Sequence, residues 1–355
     1  MTSIRYKVTW KNFLLLLVGI AAFFVYIYIF NVDLLEIIEK VQQADVHVYL
    51  SAAILSFLDI LFFTLAWFAL LRFLSVKISL VKAHLFVWIS IFIDIIIPAE
   101  SVSGEITKIY LVNKEQNGTT GKTTASIVAQ RIISMGINII TLTVGAILLI
   151  IEHLFYGMIL TLTLILIIMT IIFLVLILLL SIKEAWTLKI VNSIINFVER
   201  ISRGRWKLAK LKEQVVEATS MFHGAIREFA RAPKTMFIAA FLSLVSWVCG
   251  LTVYYLTLLS VGYSPIRWSA ILVIASIFVA IKSIPTGVPF EVGLPEIALS
   301  TLLIFFGVPP LIAATATILM RLLTLWLRFF IGFVAQQLIG IKAVTTVTSE
   351  EPTFT

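Results

Sequence analysis

The sequence predicts an all-α polytopic integral membrane protein, with about six full transmembrane helices and two oppositely oriented broken or re-entrant hairpins, laid out like an inverted-repeat transporter. Three observations carry this. Hydrophobic residues make up 61% of the 355 residues and charged residues 13%, against about 25% charged in a soluble domain. The mean hydropathy is +1.09. A soluble globule cannot cover that much apolar surface, which excludes a water-soluble enzyme, and the same composition excludes disorder. Second, several apolar runs reach the roughly 20 residues that cross a bilayer. Third, two apolar runs are shorter and break at prolines into polar segments.

The elements follow in order. Residues 1–11 are short and basic, and the run Phe13–Phe30 is the first span, with the N-terminus inside. It is too long for a signal peptide and no small-residue cleavage site follows it. The loop Asn31–Val46 is acidic and suits the outside. Val48–Leu71 is the second span and ends in a basic turn at Arg72, Lys77 and Lys82.

Ala83–Ile97 is apolar but too short for an upright span. It breaks at Pro98 and turns polar through Glu100, Ser103, Gly104, Glu105 and Lys108. Lysines flank both ends, so 83–112 is expected to be a hairpin entering from the cytoplasm. Thr123–Ile151 is a span carrying Arg131, and Leu154–Ile182 is a plain lipid-facing one.

The segment 183–234 holds eleven of the 27 Lys and Arg against five acids, which is six of the eight net positive charges. A basic segment between spans reads as cytoplasmic, facing anionic lipid rather than nucleic acid. Its second half repeats Leu208, Leu211, Val215, Ala218, Phe222, Ala225 and Phe229 at helical spacing. An amphipathic helix lying on the inner membrane surface is expected there.

Thr235–Val261 is the next span. Ser269–Ile284 is again apolar and short, contains Lys282, and breaks at Pro285, Pro289, Glu291, Gly293 and Glu296. With Ile297–Phe306 it forms the second hairpin, 269–306, opening to the outside. Leu311–Ile339 is the last span, with Arg321 and Arg328 inside it, and 341–355 is a polar tail on the cytoplasmic side. The halves are 1–182 and 235–340, joined by the basic linker. Two broken elements of opposite orientation mark an inverted-repeat transporter.

Charges at membrane depth are expensive and default to function. Asp59, Asp94, Glu105, Lys108, Arg131, Lys282, Glu291, Glu296, Arg321 and Arg328 lie in or beside these segments. Their number predicts one shared polar cavity. The structural reading of each stands beside this. Arg321 can neutralise Glu296 as an ion pair, Arg131 and Arg328 can snorkel, and Asp59 and Asp94 can hydrogen-bond at helix contacts.

Other chemistry fails on spacing. Gly118-Thr-Thr-Gly121-Lys122-Thr123 has two residues between its glycines where a P-loop has four. His47, His84, His153 and His223 are too scattered for zinc. The single cysteine, Cys249, makes no intrachain disulfide or cysteine metal site. No cofactor and no metal are expected.

The stretch Pro98…Gly104-Glu105-Ile106-Thr107-Lys108 resembles the proline then Gly-Glu-x-x-basic motif of the flippase-like family, the transmembrane region of lysylphosphatidylglycerol synthases and their stand-alone relatives. Ser126…Gln130-Arg131 resembles that family's Ser…Glu-Arg span, with Gln130 in place of Glu and Ser134 where an Asp is common. Pro289-Phe-Glu-Val-Gly293-Leu-Pro-Glu296 is similar to its Pro-Gly-Gly-Leu-Gly-x-x-Glu, with Phe290 and Glu291 replacing the glycine pair. Gly307-Val308 and Ala313…Arg321 resemble its closing segment.

The resemblance implies a lipid translocator at the cell membrane, without the appended synthase domain and with no aminoacyl-transfer step. Arg131, Arg321, Lys108 and Lys282 are then expected to hold a lipid phosphate. Glu105, Glu291 and Glu296 balance that charge or recognise an amine or sugar hydroxyl. Membrane lipid is the expected partner, as substrate, with a separate lipid-modifying enzyme as a candidate on the basic linker. Two rivals use the same residues differently. One is an ion- or proton-coupled transporter of a small anion, with Glu105 or Glu296 as the proton site. The other is a membrane glycosyltransferase with a metal on Asp33, Glu36 and Asp45, which is weak because acidic runs are usually solvated faces.

Overall fold

The computed structural model describes residues 34–97, 102–153, 157–201, 209–264, 266–282 and 293–340. The first expected span lies outside these residues, as do Pro98, Pro285, Pro289 and Glu291. Among the described residues the regular structure is helical throughout. In order the helices are α1 (Leu34–Gln42), α2 (Val46–Phe73), α3 (Leu80–Ile96), α4 (Val102–Glu115), α5 (Thr120–Ile151), α6 (Met158–Ile182), α7 (Glu184–Ile201) and α8 (Ala209–Ala230). Then come α9 (Pro233–Ser260), α10 (Trp268–Lys282), α11 (Leu294–Phe305) and α12 (Pro310–Arg321). A π-helical stretch (Leu322–Leu327) joins α12 to α13 (Arg328–Ile339).

Five helices are long and apolar enough to cross a membrane: Val46–Phe73, Thr120–Ile151, Thr161–Ile182, Pro233–Ser260 and Pro310–Ile339. They coincide with the second to sixth expected spans. Trp268–Lys282 and Leu294–Phe305 are the short apolar helices expected around the second break. The protein is a multi-pass helical membrane protein.

The described residues form two compact units that interleave along the chain. One comprises the described residues of 34–43, 85–107 and 281–340, the other those of 44–84 and 108–280. Both broken segments therefore have flanks in the first unit.

The second unit is built on α2 and α9, each 28 residues long, or about 42 Å at 1.5 Å per residue. Asp45 starts α2 by accepting from the backbone N–H groups of His47 (2.9 Å) and Val48 (3.2 Å). Its own N–H donates to the Ser260 carbonyl at the end of α9 (2.7 Å). The two helices therefore run antiparallel. Ala52, Ser56, Ala239, Ser243 and Ser246 are buried along them, the small residues that let membrane helices approach without an apolar driving force.

Helix α6 has only 6% of its most apolar window buried, which agrees with a plain lipid-facing span. Helix α8 packs part of its apolar stripe on protein. Gly121 of α5 sits directly against Ala218, Met221 and Phe222, and Phe229 stacks on Phe73 with ring centroids 5.6 Å apart. Amphipathic spacing demands an apolar neighbour and does not say which one.

In the first unit, α11 and α12 form an antiparallel pair across the turn Gly307-Val308-Pro309. Buried Ser300 donates to buried Thr317 between them (2.9 Å). The amphipathic α1 lays Ile37 on Ala314, beside Ile297, Leu311 and Ile318. The second half of α3 packs on α13, where the Phe92 ring lies 5.1 Å from that of Phe329 and 5.9 Å from that of Phe333.

Candidate functional site

The antiparallel register that sets Ser300 against Thr317 brings the preceding turn of α11 against the following turn of α12. Glu296 meets Arg321 there. The Arg321 Nε–H donates to Glu296 Oε1 at 2.5 Å, and the two side chains are 5% and 8% exposed. The other oxygen, Oε2, accepts the Gly293 N–H at 2.7 Å. One buried carboxylate thus closes the N-terminus of α11 and neutralises an arginine from another helix. Gly293 has φ +100, a conformation costly for any residue with a Cβ. It is the point where the chain resumes as a helix after the proline-rich break. The π-helical stretch starts at the residue after Arg321. Such i→i+5 segments re-register the side chains beyond them and are frequent at functional sites.

The first break is closed differently. Asp94 of α3 accepts from the Ser103 hydroxyl (2.5 Å) and the Gly104 N–H (2.7 Å) at the start of α4. At the far end of the same two helices Lys82 pairs with Glu115 at 2.5 Å. Together these contacts make α3 and α4 the expected hairpin. A Cβ on Gly104 would overlap the Asp94 carboxylate and the Ser90 carbonyl, so only glycine lets the arms approach this closely.

In the second unit Lys108 is buried. Its Nζ lies 5.6 Å from the Phe63 ring centroid and 5.3 Å from that of Trp67, within cation–π reach of both. Helix α5 holds those rings. The Trp67 indole N–H donates to Ser126 Oγ (3.0 Å), and the Gln130 side-chain amide donates to the Phe63 carbonyl (2.8 Å). A glutamate at 130 in its ionised form has no hydrogen to give there. Arg131 follows Gln130 on α5 and is half-buried, as are Glu105 on α4 and Lys282 at the end of α10.

Of the expected site residues, Gly293, Glu296 and Arg321 are therefore in direct contact, Gly104 lies in the Asp94 cap, and Lys108 sits on an aromatic pair. Glu291 and the three prolines lie outside the described residues. Phe63 and Trp67 were not foreseen as neighbours of Lys108. Nothing in the local sequence separates them from other apolar and small membrane residues.

Five long apolar helices, with shorter apolar helices beside polar breaks, define a multi-pass membrane protein. The family described as the lysylphosphatidylglycerol synthase TM region matches residues 14–332, and the chain belongs to it. Among its relatives is a UPF0104 membrane protein of Pyrococcus horikoshii, 25% identical over 91% of this chain and 95% of the relative. Another is a UPF0104 membrane protein of Methanothermobacter thermautotrophicus, 24% identical over 92% and 94%.

Proposed function

We propose that the protein is a membrane lipid translocator for a phosphate-bearing lipid, and that it carries out transport rather than catalysis. The substrates this reading admits are an anionic or aminoacylated phospholipid and a polyprenyl-phosphate-linked sugar. The observation that carries it is the position of Glu296. Its two oxygens occupy an arginine N–H and a helix-terminal backbone N–H, the two kinds of donor that bind phosphate best. In this reading Glu296 is a tethered stand-in anion. It keeps Arg321 neutralised while the site is empty. An arriving phosphate displaces it, and the freed carboxylate then accepts from an amine or sugar hydroxyl of the head group. The reading also assigns Lys108, held on its aromatic pair, and Arg131, Lys282 and Glu105 to head-group binding. The acyl chains stay in lipid throughout. The basic linker supports a cell-membrane location with both termini in the cytoplasm.

The test is translocation in proteoliposomes, with fluorescent phosphatidylglycerol, a short polyprenyl phosphate and entrapped inorganic phosphate as separate probes. Wild type should move one of the two lipids and Arg321→Ala should not. Glu296→Gln should bind the anionic lipid more tightly and release it more slowly, because the competing anion is gone. Weaker binding in Glu296→Gln would sink the stand-in role. Movement of inorganic phosphate with no lipid movement would hand the site to the small-anion reading.

A further inference from the structure

The lipid-facing span α6 ends at Ile182, which is 69% exposed. One residue, Lys183, then leaves the helical conformation, with φ −94 and ψ 85, and α7 begins at Glu184. The corner is held on both sides. The Thr187 hydroxyl donates to the Leu180 carbonyl at 2.7 Å, and the Trp186 and Thr187 N–H groups donate to the Lys183 carbonyl at 3.0 and 3.3 Å. The 25 residues of α6 make a helix about 37 Å long, more than the roughly 30 Å hydrocarbon core of a bilayer. The corner therefore falls at the boundary between hydrocarbon and water, and α7 sets out from that boundary.

Helix α7 has two faces of different kind. One is turned to the protein: Ile195 is buried, and Glu184 pairs with Arg227 of α8 at 3.6 Å. The opposite face carries Trp186 and Ile190, one turn apart and 49% and 46% exposed, with Lys189 and Ser193 exposed beside them. The Lys183 Nζ lies 4.8 Å from the Trp186 ring centroid, within cation–π reach. Water favours neither an indole nor a branched alkyl chain on an outward face. The membrane–water interface favours both, with lysines reaching from them to the head groups. Two observations decide what covers the face. It continues the lipid-exposed surface of α6 from Ile182 across a single residue. It also opens the segment 183–234, which holds eleven Lys and Arg against five acids and so complements anionic head groups.

We propose that the outer face of α7 is an interfacial lipid-binding surface that takes anionic phospholipid from the leaflet on the basic, cytoplasmic side. Trp186 and Ile190 enter the region between head groups and acyl chains, and Lys183 and Lys189 reach the phosphates above them. The contact gathers anionic lipid at the foot of α6. It does not rest on the translocation reading, because a protein that moves no lipid would still bind it here.

The test uses the full chain in phosphatidylcholine vesicles that carry a minority of phosphatidylglycerol. In one preparation the phosphatidylglycerol is brominated in its acyl chains, and in the other an equal fraction of the phosphatidylcholine is. The difference between wild type and Trp186→Phe isolates the emission of Trp186 from that of the other tryptophans. Bromine quenches an indole only at contact, so quenching reports which lipid lies beside Trp186. Both lipids should quench it, and brominated phosphatidylglycerol several-fold more. A lysine near the surface gives about a fivefold preference for anionic lipid, so the double variant Lys183→Gln, Lys189→Gln should lose most of the difference, and high salt should do the same to wild type. Equal quenching by the two lipids in wild type overturns the proposal. So does an unquenched Trp186: emission at the wavelength of an indole in water puts the face in solvent, and blue-shifted emission puts it under protein, whether a second copy or a docked enzyme. Should Trp186→Phe fail to fold, a nitroxide on Ile190→Cys in a Cys249→Ala background takes its place. It should meet oxygen dissolved in lipid more readily than a water-soluble nickel chelate, and the reverse order overturns the site.

Discussion

At the first break a carboxylate from the helix before it, Asp94, closes the helix that follows. At the second, α11 closes itself through Glu296, which gives its other oxygen to an arginine of the neighbouring helix. The difference lies in what each carboxylate holds. The Asp94 bonds to Ser103 and Gly104 are to neutral donors of the arm it faces, and they hold the two arms of one hairpin together. The bonds of Glu296 include a cation, and a cation accepts any anion of suitable shape. The same device, an acid at a helix N-terminus, is a clasp in one region and an exchangeable contact in the other.

Three substitutions break or sharpen this contrast. Arg321→Ala should have the largest effect. It strands a buried carboxylate and should cost about 3–5 kcal/mol, seen as a large fall in thermal stability in detergent. Replacing Glu296 by leucine in the same protein should restore most of the loss, since the uncompensated charge is gone. A single mutant as stable as wild type would mean the pair is not buried as described. Gly104→Ala comes next. Its methyl group meets the Asp94 carboxylate and the Ser90 carbonyl, and overpacking of this kind costs about 1–3 kcal/mol. The loss should appear in stability, with residual transport scaling with the folded fraction. Asp94→Ala is the smallest, about 0.5–2 kcal/mol for a lost helix cap. If Asp94→Ala abolished transport while leaving stability intact, the first break would be a binding site like the second, and the contrast would fail.

Much of the fold was legible because hydropathy reports length directly. The five described spans lie where the apolar runs lie, and the lysines around 83–112 marked a hairpin that the Lys82–Glu115 and Asp94–Gly104 contacts close. The pair Glu296 and Arg321 was readable as two opposite charges in apolar surroundings. Their contact was not, because it depends on the 25-residue separation being folded into an antiparallel pair with one register. The neighbour of the apolar stripe of α8 was hidden for the same kind of reason. Its period says that one face is apolar, and only the chain's path shows that Gly121 lies beneath that face. Trp67 and Phe63 carried no signal at all, because an aromatic under a buried lysine and an aromatic facing lipid are the same letter.

The sequence by itself determined that this chain lives in a membrane and where its five described spans lie. Those properties follow from the cost of exposing apolar residues to water and backbone groups to lipid, and that cost is a sum over local residues. Tertiary structure decided which acid meets which donor. It set Asp59 against Ser246 at the centre of two spans, and it gathered the flanks of both breaks into one compact unit. Those outcomes depend on register and distance between segments far apart in the chain, and electrostatic contacts of a few ångströms are decided only once the helices are packed.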